Sequence, residues 1–141
     1  MVACTFFGHR DCPDSIRPKL RSVLINLIEN QQADTFYVGR QGSFDALVYA
    51  TLRELAAKYP HIRYAAVLEC LSGKSTDDFT ETLFPEAMEN VPPRFAIDRR
   101  NNWMLQQADF VVVYVTHTWG GAAKFAGKAE KQGKIVINLA D

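Results

Sequence analysis

Apolar positions follow two rhythms along this chain. Residues 2–7, 35–38, 62–70, 110–115 and 134–139 are short runs rich in β-branched and aromatic side chains, and the segments between them place apolar residues three and four apart. Short apolar runs bounded by turn residues predict strands covered on both faces, as in a parallel sheet. The spacing of Leu20, Val23, Leu24, Leu27 and Ile28 predicts a helix capped by Asp14 or Ser15, with Pro18 in its first turn and an end near Gln32. Phe44, Leu47, Val48, Leu52, Leu55 and Tyr59 mark a second helix, stopped by Pro60. Asp98 is the expected cap of a third, running to Gln107, with Arg99 and Arg100 in its first turn; the alanine-rich residues 122–131 make a fourth, able to lie close to a sheet.

Residues 71–97 lose both rhythms. Gly73, Lys74, Asp77, Asp78, Pro85, Pro92 and Pro93 predict a long irregular crossover, with room for a short helix at about 77–83. Connections of this length often serve as lids or binding loops. The alternation of strand and helix predicts one domain over residues 1–141, of α/β class, with helices on both faces of a parallel sheet and right-handed crossovers. Ligands in such sheets bind beyond the carboxyl ends of the strands, where strand order reverses.

Five of the eight glycines fall at that edge, in Gly8-His9-Arg10, Gly39-Arg40-Gln41-Gly42 and Gly120-Gly121, each after a strand-like run and before a helical stretch. Glycine there admits positive φ and lets a ligand approach main-chain N–H groups where the helix dipole favours negative charge. Neighbouring turns of this kind make a pocket for phosphates or a nucleotide. Lys plus Arg equals Asp plus Glu, for a formal net charge of zero, which argues against broad attraction to nucleic acid or anionic lipid. No apolar run approaches the ~20 residues needed to cross a bilayer, and residues 1–7 are too short and β-like for a signal peptide, so a cytoplasmic protein is expected. Cys4, Cys12 and Cys70 have neither an even count nor a zinc-type spacing, which predicts free thiols.

These motifs, in their order, resemble the SLOG superfamily of Rossmann-like proteins, which includes Lonely Guy-type phosphoribohydrolases and DNA-processing protein A. The resemblance covers the whole chain and is nearest to a small, single-domain bacterial type of unknown role. Its carriers are Gly8-His9-Arg10, Gly39-x-x-Gly42 with Asp45, Arg100-Asn101-x-x-Met104, and Gly120-Gly121. It implies a three-layer α/β/α fold with a five-stranded sheet of order 3-2-1-4-5. Lonely Guy-type enzymes cleave the bond between a base and ribose 5′-monophosphate with an arginine four residues before a methionine, which Arg100 and Met104 match, and a glutamate in the P-G-G-x-G-T-x-x-E turn. Gly127 stands where that glutamate is expected, and an oxocarbenium-like transition state calls for a carboxylate. Asp45 stands one residue later than in relatives that read G-x-x-G-x-D. Homodimers are common among such relatives, and Phe79, Leu83 and Phe84 offer an apolar contact.

A cation in the first turn of a helix opposes the dipole at roughly 0.3–1 kcal/mol, which an anionic ligand on Arg100 would offset, Arg99 pointing to water. The expected ligand-binding set is Gly8, His9, Arg10, Gly39, Gln41, Gly42, Ser43, Arg100, Asn101, Thr116, His117, Trp119, Gly120 and Gly121. Ser43 either caps its helix or meets a phosphate. His9 and His117 follow neighbouring strands, where they contact a ribose or base or serve structure. Their spacing with Cys12 is no metal signature, so no metal and no resident cofactor are expected. Cys12, before a helix and near Arg10, has surroundings that lower a thiol pKa, but neither a base nor an oxyanion site is evident for it. Trp119 can stack on a base, while Trp103 and Phe125 read as core. Glu69 and Asp45, with Arg100, are the candidate catalytic residues. The leading expectation is a module that binds or senses a nucleotide or nucleotide-derived small molecule. An N-glycoside hydrolase or ribosyl-transfer enzyme acting on nucleoside 5′-monophosphates is the alternative. Single-stranded nucleic-acid binding is the weakest, given the neutral charge.

Overall fold

The computed structural model describes residues 1–71 and 81–140. Its parallel sheet comprises β1 (Ala3–Gly8), β2 (Thr35–Val38), β3 (Arg63–Val67), β4 (Thr82–Leu83), β5 (Phe110–Tyr114) and β6 (Ile135–Asn138) in the order β4-β3-β2-β1-β5-β6. The helices are α1 (Arg17–Asn30), α2 (Gly42–Lys58), α3 (Pro93–Gln107) and α4 (Gly121–Lys131). The chain runs outward from β1 to β4 on one side, then returns to place β5 beside β1, so strand order reverses between β1 and β5.

The alternation of side chains along each strand sorts them into two cores. On one face Cys4, Phe6, Phe36, Phe110 and Val112 meet Leu20, Leu24 and Leu27 of α1 and Phe44, Val48 and Leu52 of α2. On the other, Phe7, Val111 and Val113 meet Met104 and Leu105 of α3 and Phe125 and Ala129 of α4. Phe7 stacks on Phe125 at 5.2 Å between ring centroids, and Trp103 packs edge-on against Tyr37 at 5.1 Å.

The sheet has six strands rather than the five expected, because two residues are too few to carry a period. Thr82–Leu83 pairs with β3, where Ala66 N–H donates to Glu81 O and Leu68 N–H to Leu83 O, both at 2.8 Å. The short helix expected at 77–83 is thereby excluded at its end; residues 77–80, like Phe79, lie outside the described residues. The third strand stops at Val67 rather than Cys70.

The start of α3 also differs. The helix begins at Pro93, not at Asp98, since proline at the first helical position gives up only an N–H that would have no partner within the helix. Asp98 therefore lies inside the helix, paired with Lys124 at 2.8 Å, and Arg99 and Arg100 fall beyond the first turn, where the dipole penalty does not apply. The α1 helix has no side-chain cap; Asp14, in a 3₁₀ turn, pairs instead with Arg17 at 2.9 Å.

Gly8 is a packing requirement. A Cβ there would lie 2.3 Å from the buried Phe44 ring, which has no space to retreat. Gly8→Ala is expected to destabilise the fold by about 1–3 kcal/mol through overpacking, read as a lower urea midpoint with an unchanged slope.

Candidate functional site

The turns after β1, β2 and β5 enclose a cleft of about 480 Å³ at the carboxyl edge of the sheet. Its floor is a buried ionic cluster. Arg100, on α3 and only 2% exposed, donates from Nη2 to Gln41 Oε1 at 2.7 Å and from Nη1 to Val67 O at 3.2 Å and Glu69 Oε2 at 3.4 Å. Its Nε donates to Asn101 Oδ1 at 3.0 Å. Arg40, in the β2 turn, donates from Nε to both Glu69 oxygens at 3.1 Å and from Nη2 to Cys70 O at 3.0 Å. Burial alone would raise Glu69, but the Arg40 hydrogen bonds and the charges of both guanidinium groups hold it below its ordinary value.

Asp45 differs from Glu69. It is 7% exposed, in the first turn of α2, and its Oδ2 accepts the Gln41 N–H at 2.8 Å. Burial raises its pKa to about 6, against the opposing pull of Arg100, the Gln41 N–H and Arg10. Gly39 makes room for this arrangement: a Cβ would stand 2.8 Å from Asp45 Oδ2 and 2.9 Å from Arg100 Nη2.

The opposite wall is aromatic. The rings of His9 and His117 stack at 3.7 Å, and His117 and Trp119 stack at the same distance, leaving Trp119 69% exposed. Thr116 N–H donates to His9 Nε2 at 2.9 Å, and His117 Nδ1 contacts Trp119 O at 2.9 Å. Burial, then the His117 charge, lowers the His9 pKa. Gly120, with φ +93°, opens α4, and a Cβ on Gly121 would meet nothing within 4 Å.

Of the residues expected to bind a ligand, Gly8, His9, Arg10, Gly39, Gln41, Arg100, Asn101, His117, Trp119, Gly120 and Gly121 line this cleft. Gly42, Ser43 and Thr116 do not. Gly42, at φ +86°, packs on Arg10, whose Cα would lie 2.6 Å from an added Cβ. Ser43 neither caps α2 nor faces the cleft: its Oγ donates to Arg10 O at 2.7 Å and accepts the Cys12 N–H at 2.8 Å, tying the β1 turn to α2. Glu69 lies beneath the cleft, Asp45 in its lining. Arg100 is a buried organiser of the floor rather than an exposed cation, whereas Arg10 is exposed at the cleft wall. Cys12 corrects an expectation, since burial and the charges of Asp11 and Asp14 push its thiol up to about 11.

Sequence reasoning passed over Arg40, although a cation between two turn glycines was a signal. It also missed Phe6, Phe7, Asp11, Ile97, Met104 and Ala122, which join the lining through the fold alone. Among the described residues, no group of three or more His, Cys, Asp or Glu side chains is placed to hold a metal ion, and no helix is long and apolar enough to cross a membrane.

No family model and no curated protein matches the sequence. The fold is that of DNA processing protein A. The X-ray structure of that protein from Streptococcus pneumoniae superposes with a TM-score of 0.70 at 14% identity, over 98% of this chain and 50% of that one. The Helicobacter pylori protein, described for its single-stranded DNA binding mode, gives 0.68 at 12% identity, over 97% of this chain and 64% of that one. The chain thus spans between half and two thirds of these neighbours, and it shares with them the arrangement of a parallel sheet flanked by helices.

Two outcomes follow for the floor. Arg100→Met leaves Arg40 as the guanidinium on Glu69 and takes from Gln41 Oε1 the shorter of its two hydrogen bonds, so unfolding free energy should fall by about 3 kcal/mol in urea titration. Asp45 has a folded pKa raised to about 6 from 3.8, so its contribution to stability is fully present below the ordinary value and is lost as pH rises through about 6. Asp45→Asn removes this dependence. Relative to wild type, the variant should gain stability between about pH 4 and pH 7; a constant difference across that range would contradict the assignment.

Proposed function

We propose that the chain binds a nucleotide or nucleotide-derived small molecule in the cleft. The observation that carries this reading is the meeting, in one cleft, of an open glycine helix start at Gly120–Gly121, the exposed Arg10 and the exposed ring of Trp119. The helix start and Arg10 suit a phosphate, the first through N–H groups and dipole, the second through charge-assisted hydrogen bonds. Trp119, backed by His117, suits the face of a base. Arg100 supports the site from below rather than as the ligand's first cation. Bond cleavage would fall to Asp45 among the two candidate carboxylates, because Glu69 is held by Arg40 and Arg100.

Single-stranded DNA is the second reading. An exposed aromatic stack at the rim of an open cleft can take successive bases, and one fold neighbour is described for binding such DNA. The formal net charge of zero favours the small molecule, because strand binding leans on a basic track.

Isothermal titration with AMP and ADP-ribose tests the first reading and titration with a fluorescent oligothymidylate the second. Arg10→Ala and Gly121→Ala should each weaken AMP about tenfold while leaving stability within roughly 0.5 kcal/mol of wild type. Salt-sensitive oligothymidylate binding that AMP does not displace would transfer the cleft to the second reading.

A further inference from the structure

Below the aromatic wall, Gln41 and Asp45 present a matched donor and acceptor. Gln41 Oε1 accepts from Arg100 Nη2 at 2.7 Å and from the Arg40 N–H at 3.3 Å. A guanidinium has no acceptor, so this contact fixes the amide: the oxygen faces the arginine and the Nε2 amine must turn the other way. Asp45 Oδ2 accepts the Gln41 main-chain N–H, which leaves Oδ1 as the second carboxylate oxygen. Neither Gln41 Nε2 nor Asp45 Oδ1 has a hydrogen-bond partner among the described residues, and neither is sealed from solvent. Both side chains line the cleft, although the residues are only 9% and 7% exposed.

A donor and a charged acceptor, each more than nine-tenths buried and each left open on one side, form a built hydrogen-bonding subsite. Such groups lose solvation when the cleft fills, so a ligand that leaves them unpaired is rejected. The geometry points to Asp45 and Gln41 as the specificity-determining pair that recognises the cis-diol of a ribose, the carboxylate accepting from one hydroxyl and the amide donating to the other. This rests on the nucleotide reading above and narrows its substrate class to ribonucleotides. A vicinal diol fits because each hydroxyl both donates and accepts, so two adjacent hydroxyls satisfy an acceptor and a donor together. The raised pKa of Asp45 adds a condition: the carboxylate accepts from hydroxyls when ionised, so diol recognition should weaken as pH falls below about 6.

The test compares AMP with 2′-deoxy-AMP on the wild-type protein by isothermal titration near neutral pH, then repeats both with Asp45→Asn. In the variant the side-chain oxygen must still take the Gln41 N–H, so its NH₂ faces the cleft and the acceptor becomes a donor. The expected result is AMP tighter than 2′-deoxy-AMP by roughly tenfold or more in wild type, and a clearly smaller ratio in Asp45→Asn, where a neutral donor replaces the charged acceptor. Equal affinities in wild type overturn the diol assignment while leaving the nucleotide reading intact. Equal affinities for AMP and its deoxy form, with NAD bound tighter than ADP-ribose, would assign the pair to a carboxamide instead and likewise overturn it. Absence of binding by AMP, 2′-deoxy-AMP and ADP-ribose alike would overturn both readings. The wild-type comparison stands even if the variant does not fold.

Discussion

Arg100 is the constraint on which the site depends. Its guanidinium is closed off from solvent on α3 and reaches Gln41 in the β2 turn, the Val67 carbonyl at the end of β3, and Glu69 beyond it. Burying such a charge is costly unless it is paired and hydrogen-bonded, and here the carboxylate, a carbonyl and an amide oxygen share the task. Much of the neighbourhood follows. Gly39 has no side chain because a Cβ would press on Arg100 and Asp45 together. Arg40 is drawn inward to the other side of Glu69, so two guanidinium groups face two buried carboxylates, one of them held firmly ionised and the other titrating near pH 6.

The position of the cleft is a consequence of chain order. Because β1 lies between β2 and β5, the turns leaving β1 and β5 diverge to helices on opposite faces and leave a crevice over the carboxyl edge. The ionic floor fills the β2 side of that crevice and the His9–His117–Trp119 stack its β5 side. Ser43 joins the turn after β1 to the start of α2, through Arg10 O and the Cys12 N–H, so the loop carrying Arg10 is pinned at its base while the Arg10 side chain stays exposed.

Much of this was legible in the sequence because it is written in local periods. The strands at residues 3–8, 35–38, 110–114 and 135–138 and the helical faces of α1 and α2 follow from runs and spacings within a few residues, and the glycine junctions mark the edge where the cleft forms. Features decided by tertiary contact were not legible. Pro92-Pro93 reads as a breaker, yet Pro93 starts a helix whose α3·sheet packing holds it in place. Thr82–Leu83 is a strand only because β3 offers its open edge. Arg100 looks like an exposed cation until the contacts 59 residues back to Gln41 and 31 residues back to Glu69 are known. Ser43 looks like a helix cap for the same reason: its partners, Arg10 and Cys12, lie more than 30 residues away.

The aromatic wall shows how the same fold keeps its charge where a ligand can use it. The Thr116 N–H needs an acceptor, so His9 Nε2 must be unprotonated and its proton, in the neutral ring, sits on Nδ1. Burial, then the facing His117, opposes adding a second proton to His9, and that proton would abolish the hydrogen bond from Thr116. His9 is thus held in its neutral form, and its ring, stacked on His117 and through it on Trp119, belongs to a wall of flat faces suited to a planar ring. Among the described residues that line the cleft, the arginines are Arg10 at the wall and the compensated Arg100 of the floor. Under the proposed reading, a ligand with an anionic end, a planar end and a hydroxylated middle would meet one kind of surface for each, and the zero net charge of the chain does not oppose this, because the charges are placed locally.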